Sequence, residues 1–411
     1  MSRSRLILAL LVLVSLGSSF ARAENWPAWR GPRADGTTSE KDLPLKWSAT
    51  ENIKWKVPLP APGNSTPIVW ENKIFLTQAL EKGARRTVMC LARSDGRTLW
   101  TKEIPGRADE PTHNTNPQSA SSPVTDGQAV YAWQGSSGVV AYDLDGKELW
   151  KRDLGTFTHI WGYGSSPILY GDLLILNCGP GERAFVVALN RKTGEQVWQM
   201  AGVTGKAEQF LGSWSSPYLT RHQDRDLLLI GQPHALVAYD PAKGTELWRC
   251  RGLTDLVYST TIVGEGVAVS MSGYHGRAMA VKLGGEGDVT DSHRLWLTPE
   301  GTKEQQRIGS GVILDGHIYM VNEPGVECIK LTTGESLWKQ RLGTRNWTSL
   351  VLVEGKLMFL DGQGNTHLFA AKPVFEELGE NKLNETTNGS LAISNGNVFI
   401  RTYQHLWCVG K

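Results

Sequence analysis

The chain has 411 residues, of which 40% are hydrophobic and 20% charged, with a formal net charge of +2 at pH 7. Enough apolar material is present to bury a core, which excludes a disordered polyelectrolyte. A charge so near zero gives no electrostatic drive toward nucleic acid or an anionic membrane surface, so no nucleic-acid partner is expected.

Arg3 and Arg5 precede an apolar run from Leu6 to Leu16, then small residues and Ala21-Arg22-Ala23. A basic start, a short apolar stretch and an A-x-A site make up a secretory signal peptide. Residues 1–23 are therefore expected to be cleaved near Ala23, leaving a periplasmic or secreted chain whose formal charge falls from +2 to −1 as Arg3, Arg5 and Arg22 are lost. The run is shorter than the roughly 20 residues that span a bilayer, and no transmembrane segment is expected elsewhere. Residues 24–51 form an N-terminal extension. Its WPAWRG core, with Trp26, Trp29 and Arg30, is too aromatic for a solvated linker and is expected to lie against the side of the folded body.

From residue 52 the chain repeats itself. The phrase VVALNRKTGEQVW ends at Trp198, and related phrases end at Trp100, Trp150, Trp248 and Trp338, with a looser copy at Trp296. Successive tryptophans are 50, 48, 50, 48 and 42 residues apart. Eight hairpin phrases, from TPIVWENKIFLT through SPILYGDLLILN to SLAISNGNVFI, each carry two β-rich runs around a short turn. Units of this length made of short strands predict propeller blades. The eighth unit lacks its last strand, and NIKWKVPL, with Trp55, is placed to supply it from the other end of the chain, which would leave no open sheet edge. The expectation is an all-β, eight-bladed β-propeller over residues 52–411, its ring closed by the N-terminal strand joining the C-terminal blade.

Within that repeat the tryptophans have a packing role. A blade cannot cover its own faces, and an indole buries roughly 150–250 Å² while its N–H docks on a carbonyl. Trp55, Trp100, Trp150, Trp198, Trp248, Trp296 and Trp338 are assigned to this structural docking, with Phe375 as a weak substitute in the seventh unit. Five cysteines, an odd number with no CxxC, are present. Cys90, Cys328 and Cys408 occupy the repeat position held elsewhere by Ala188 and Ala238, which predicts small buried thiols; Cys178 and Cys250 are left open.

The pattern A-x-D/N-x-x-T-G-x-x-x-W, shown best by Ala188, Asn190, Thr193, Gly194 and Trp198, resembles the tryptophan-docking repeat of pyrroloquinoline quinone (PQQ) dehydrogenases and of BamB-like outer-membrane assembly propellers. The leader NWPAWRGPRADGTT is similar to the start of exported bacterial PQQ-like repeat proteins. The resemblance implies the eight-bladed fold. In the quinoprotein branch it also implies PQQ, a calcium ion held by carboxylate and amide oxygens, a catalytic Asp and often two adjacent cysteines. This chain has no adjacent cysteine pair, and no calcium ligand set or catalytic Asp maps onto its numbered positions.

Loops entering the first strand of each blade, and loops joining second to third strands, crowd one mouth of a propeller channel. They nominate Asn116, Gln118, Trp161, Tyr163, Trp214, Tyr258, His275, Arg307, Glu323 and Trp347 as ligand-binding residues, with Asn64, Gln134, Asn177, His234, Tyr274, Gln363, Asn388 and His405 in the same loops. The nine histidines show no H-x-H or H-E-x-x-H spacing, and no metal site is expected. The expected function is a monomeric, non-catalytic binding or assembly scaffold without a cofactor, engaging a protein partner or small ligand at the mouth. The alternative is a PQQ- and calcium-dependent alcohol or sugar dehydrogenase.

Overall fold

The computed structural model describes residues 24–299, 306–345 and 347–411; the leader at residues 1–23 lies outside the described residues. Eight antiparallel sheets follow one another along the chain as propeller blades. Blade 1 is formed by Ile68–Trp70, Lys73–Leu80, Arg85–Ala92 and Thr98–Pro105. Blade 8 takes three strands from Ala392–Ser394, Asn397–Arg401 and His405–Val409, and its fourth is Ile53–Pro58, paired with Trp55 opposite Cys408. Among the described residues the one α-helix is a single turn, Thr290–His293.

The hairpins take their turns from residues that tolerate positive φ. Glu265-Gly266, Asp315-Gly316, Glu354-Gly355 and Asn395-Gly396 each place two successive residues there, the backbone that matches strand twist in a two-residue hairpin. Third strands such as Phe185–Asn190 are buried almost throughout, whereas outer strands such as Gln196–Ala201 are mostly exposed. Inner strands are covered on both faces by neighbouring blades, so they read as continuous apolar runs.

Blade contacts explain the repeated phrase. Trp55, Trp100, Trp150, Trp198, Trp296 and Trp338 donate their indole N–H to Arg93, Leu144, Arg191, Pro241, Leu331 and Lys372 carbonyls of the following blade, at 2.8 to 3.2 Å. The residue paired across from each indole in the third strand is small, as in Cys90–Trp100, Ala188–Trp198 and Cys328–Trp338. A larger side chain there would occupy the space the indole needs. Gly194, besides its φ of +74°, lies where a Cβ would come within 2.6 Å of the Trp150 ring. All five cysteines are free and buried, and burial pushes the Cys90, Cys328 and Cys408 thiols up to about 12.

Two assignments need correction. Trp248 is 1% exposed, but its indole nitrogen has no hydrogen-bond partner. In blade 5 the turn that would receive it is replaced by a detour carrying Gly287–Asp288, which pairs beside Trp248, and the helical turn. Phe375 does not fill a tryptophan slot in blade 7, where the residue across from Leu368 is Gly379; Phe375 instead packs edge-on against Trp338 of blade 6 at 5.2 Å. Trp47 of the extension, 2% exposed, enters the core shared by blades 7, 8 and 1, held by its backbone N–H on Asn381 Oδ1 at 2.9 Å.

The WPAWRG core of the N-terminal extension does not lie against the propeller side, although residues 37–48 do run along blades 7 and 8. Trp26 pairs with Val69 of blade 1, and the Pro27 carbonyl accepts from Thr125 N of blade 2. Only three residues later, Arg30 donates to the Ser310 and Gly311 carbonyls of blade 6, which stands opposite blade 2 in an eight-membered ring. The Gly36 carbonyl then accepts from Leu352 N of blade 7. Contacts on opposite walls within four residues require the chain to cross the channel, so the WPAWRG core plugs one end. Trp26 is 0% and Arg30 3% exposed.

Above the plug, a closed girdle lines the channel. Backbone N–H groups of Thr66, Ser122, Ser166, Ser216, Thr260, Ser310, Ser349 and Ser390 each donate to the hydroxyl of the next residue in that series, and Ser390 returns to Thr66, all at 2.8 to 3.2 Å. Each blade contributes one link. First strands here are too short to supply one another with backbone partners, and the hydroxyls satisfy donors that would otherwise be orphaned in the wall.

Candidate binding site at the channel mouth

The plug makes the channel a blind cup. A cavity of about 350 Å³ opens on the face where the chain enters the first strands; Trp29 and the girdle residues Ser166, Ser216, Ser310, Ser349 and Ser390 are among its lining. Its aromatic side comes from Trp161, Trp214, Tyr258, Tyr274 and Trp347. A short parallel ladder between Gly212–Ser213 and Leu256–Val257 joins the entry segments of blades 4 and 5. Trp214 and Tyr258 come directly after it, which is why their rings stack, with centroids 4.8 Å apart and planes at 24°. The Trp214 indole is further fixed by donating to Gly162 O at 2.9 Å. Trp161 is backed on one side by Phe210 at 4.9 Å and 29°. Burial raises the Tyr258 phenol above its ordinary value, and burial lowers His159, which meets Trp214 edge-on, despite its bond to Gln209 O.

Three asparagines share one arrangement. Asn116 Nδ2 donates to the Trp161 and Tyr163 carbonyls at 2.7 and 3.0 Å, Asn64 Nδ2 to Thr115 O at 2.9 Å, and Asn388 Nδ2 to Thr115 O at 3.2 Å. Each amide is tied down through its nitrogen, and no donor among the described residues reaches the three amide oxygens; that of Asn64 is buried away from solvent.

The sequence profile of the PQQ-repeat family described as outer membrane protein assembly factor BamB matches residues 37–160 and 84–340. The chain belongs to this family. Among solved structures, BamB from Moraxella catarrhalis is similar with a TM-score of 0.61 at 17% identity, over 86% of this chain and 95% of that one. The computationally designed Ika8 protein gives 0.60 at 11%, over 87% and 100%. Quinohemoprotein alcohol dehydrogenase from Comamonas testosteroni gives 0.46 at 10%, over 94% and 81%. At such identities the likeness is one of fold. No curated protein matches the sequence.

Of the ten residues nominated for this BamB-family mouth, Asn116, Trp161, Trp214, Tyr258 and Trp347 line the cup. The other five do not. Gln118 is engaged with Glu110 O and its own carbonyl accepts from Arg86. Tyr163 is 5% exposed, packed 4.8 Å from Trp133 with its hydroxyl on Gln118 O. Arg307 is consumed by a buried pair with Glu327 at 2.9 Å. His275 lines a separate cleft with His234 and Asp255. Glu323, 8% exposed, is held by Arg345 and by the Trp347 indole at 3.3 Å; burial raises its carboxyl, partly offset by those partners. Sequence reasoning missed Trp29 and Arg345 in the lining, and it missed the girdle. Yet every hairpin phrase begins with Ser or Thr, the one signal that could have found it.

Among the described residues no Asp or Glu lines the cup, and no three His, Cys, Asp or Glu side chains converge on a point. Calcium takes six to eight oxygens, carboxylates foremost, and the carboxylate nearest Trp347 is already committed to a guanidinium and an indole. PQQ is a tricarboxylate, but among the described residues the one lining side chain with a fixed positive charge, Arg345, is paired with Glu323. The described residues do not fit the quinone and its calcium.

Proposed function

We propose that this chain is an exported, non-catalytic binding scaffold of the PQQ-repeat class, expected to act as a monomer in the periplasm or outside the cell and to engage a protein partner or small ligand at the cup. The observation that carries the reading is the chemistry of the lining among the described residues: tryptophan and tyrosine faces, asparagine amides and serine hydroxyls, with His113 and the paired Arg345 but no carboxylate. Such a surface stacks and hydrogen-bonds a ligand but offers no general acid or base of the carboxylate kind. The family description, an outer-membrane protein assembly factor, is consistent with a scaffold. Among the described residues no helix is long and apolar enough to cross a membrane.

The test is titration of purified mature protein with PQQ and Ca²⁺, following tryptophan fluorescence and melting temperature, then dye-linked alcohol oxidation. The expected result is no shift in any of the three. A saturable quench with a rise in melting temperature, which binding to the native state must produce, would overturn the scaffold reading in favour of a quinoprotein dehydrogenase.

A further inference from the structure

We propose that the ligand of the cup is a neutral saccharide, bound as a short oligosaccharide or as the end of a longer chain; this assignment rests on the binding-scaffold reading. Four observations converge on it. The aromatic walls are not parallel: Trp161 makes angles of 45°, 46° and 53° with Trp214, Tyr258 and Tyr274. A flat heterocycle needs a slot with opposed parallel faces, whereas a puckered pyranose directs C–H groups outward from both of its faces and can meet tilted rings.

The hydrogen-bonding complement is the second. The amide oxygens of Asn116 and Asn388 have no donor among the described residues, so a ligand beside them must bring donors to them. Each girdle hydroxyl already accepts a backbone N–H, and no acceptor among the described residues takes its proton. A ligand at the floor must therefore also accept. Alternating hydroxyls of a sugar do both, while a quinone or polycarboxylate only accepts.

Charge is the third. Among the described residues no carboxylate lines the cup, Arg345 is bound to Glu323 and the exposed His113 is the one other basic side chain in the lining, so a charged ligand would be stripped of water with little fixed charge in return. Size is the fourth: about 350 Å³ lies at the low end of small-molecule sites, about 300–1,000 Å³. The Trp29 plug stops a polymer from threading through, which leaves a chain end or a free short oligosaccharide.

The test is isothermal titration and tryptophan fluorescence of the mature protein with maltose, cellobiose, N,N′-diacetylchitobiose and, as the acidic counterpart, digalacturonate. At least one neutral disaccharide should give a saturable response, weakened roughly tenfold or more, about 1.4 kcal/mol, by Trp161→Ala and by Asn388→Leu. Trp347→Ala serves if either variant fails to fold. Silence across the neutral sugars, tighter binding of digalacturonate, or a response unchanged in the variants would overturn the assignment. A silent sugar panel together with a silent PQQ titration would sink the saccharide alone and leave the scaffold standing; a PQQ response would overturn both.

Discussion

Tryptophan is used in two ways in this molecule, and the contrast separates what builds the ring from what the ring presents. At the blade periphery Trp100, Trp150, Trp198 and their equivalents face a small residue across the strand pair, press against a neighbouring blade and spend their N–H on its carbonyl. At the mouth Trp161 has one face backed by Phe210, sits on an entry loop and meets tilted rings instead of a docking turn. The first environment is closed between blades; the second opens on the cup. The same side chain therefore reports structure or binding according to its surroundings, and repetition in the sequence distinguishes them, since docking residues recur at blade spacing and mouth residues do not.

The largest expected effect that would break this contrast is on stability. Trp150→Ala, which removes an indole 8% exposed together with its hydrogen bond, should cost about 3–5 kcal/mol, while Trp161→Ala should cost less than about 1 kcal/mol, both read by urea denaturation at constant m. Equal losses would mean that the mouth is packing and not a site. Next in size is the plug. Arg30→Ala removes the guanidinium that bonds the Asp35 and Gly311 carbonyls and leaves Ser310 O to Leu350 N alone; it should cost about 2–3 kcal/mol, with faster hydrogen exchange in the WPAWRG segment, and an unchanged melting temperature would show that the plug is not held by this residue.

A single girdle link should matter less. Ser166→Ala leaves the Ser122 N–H without its acceptor and should cost about 1–2 kcal/mol, seen as a modest drop in melting temperature; no change would mean that water replaces the hydroxyl. The smallest effect concerns pH at the closing blade. Burial opposes ionisation of Glu385, but Lys56, Thr402, His405 and Trp407 outweigh it and hold its carboxyl below the ordinary value. A depressed carboxylate stabilises above its unfolded value, near 4.5, and loses that contribution as pH falls through the lower folded value. Melting temperature of the native protein should thus drop more steeply below about pH 4.5 than that of Glu385→Gln, and parallel acid profiles would remove Glu385 from the account.

Much of the ring was legible because repetition multiplies a weak local signal. One hairpin with a Gly turn says little, but eight of them, with tryptophans at blade spacing, fix the architecture. The errors lay where the repeat breaks. Blade 5 rebuilds the turn that Trp248 would have used, and blade 7 has Gly379 at the tryptophan position, so Phe375 turned back to blade 6 and Trp47 came in from outside the repeat. The mouth was half legible: loop position is readable from the strand order, but whether a loop side chain faces the channel or an adjacent blade depends on partners distant in sequence. Arg307 and Tyr163 were lost to Glu327 and Trp133 for that reason.

The sequence by itself determined strand periodicity, turn chemistry, blade number and six of the seven docking tryptophans, because each depends on residues within one repeat unit or on their spacing. Only the tertiary structure decided that residues 24–38 cross the channel, that eight hydroxyls close into a girdle and that three asparagines are anchored through their nitrogens. These features join residues up to hundreds of positions apart, as Ser390 with Thr66 and Arg30 with Gly311, and closing such contacts draws on the ring as a whole, which local propensity does not encode.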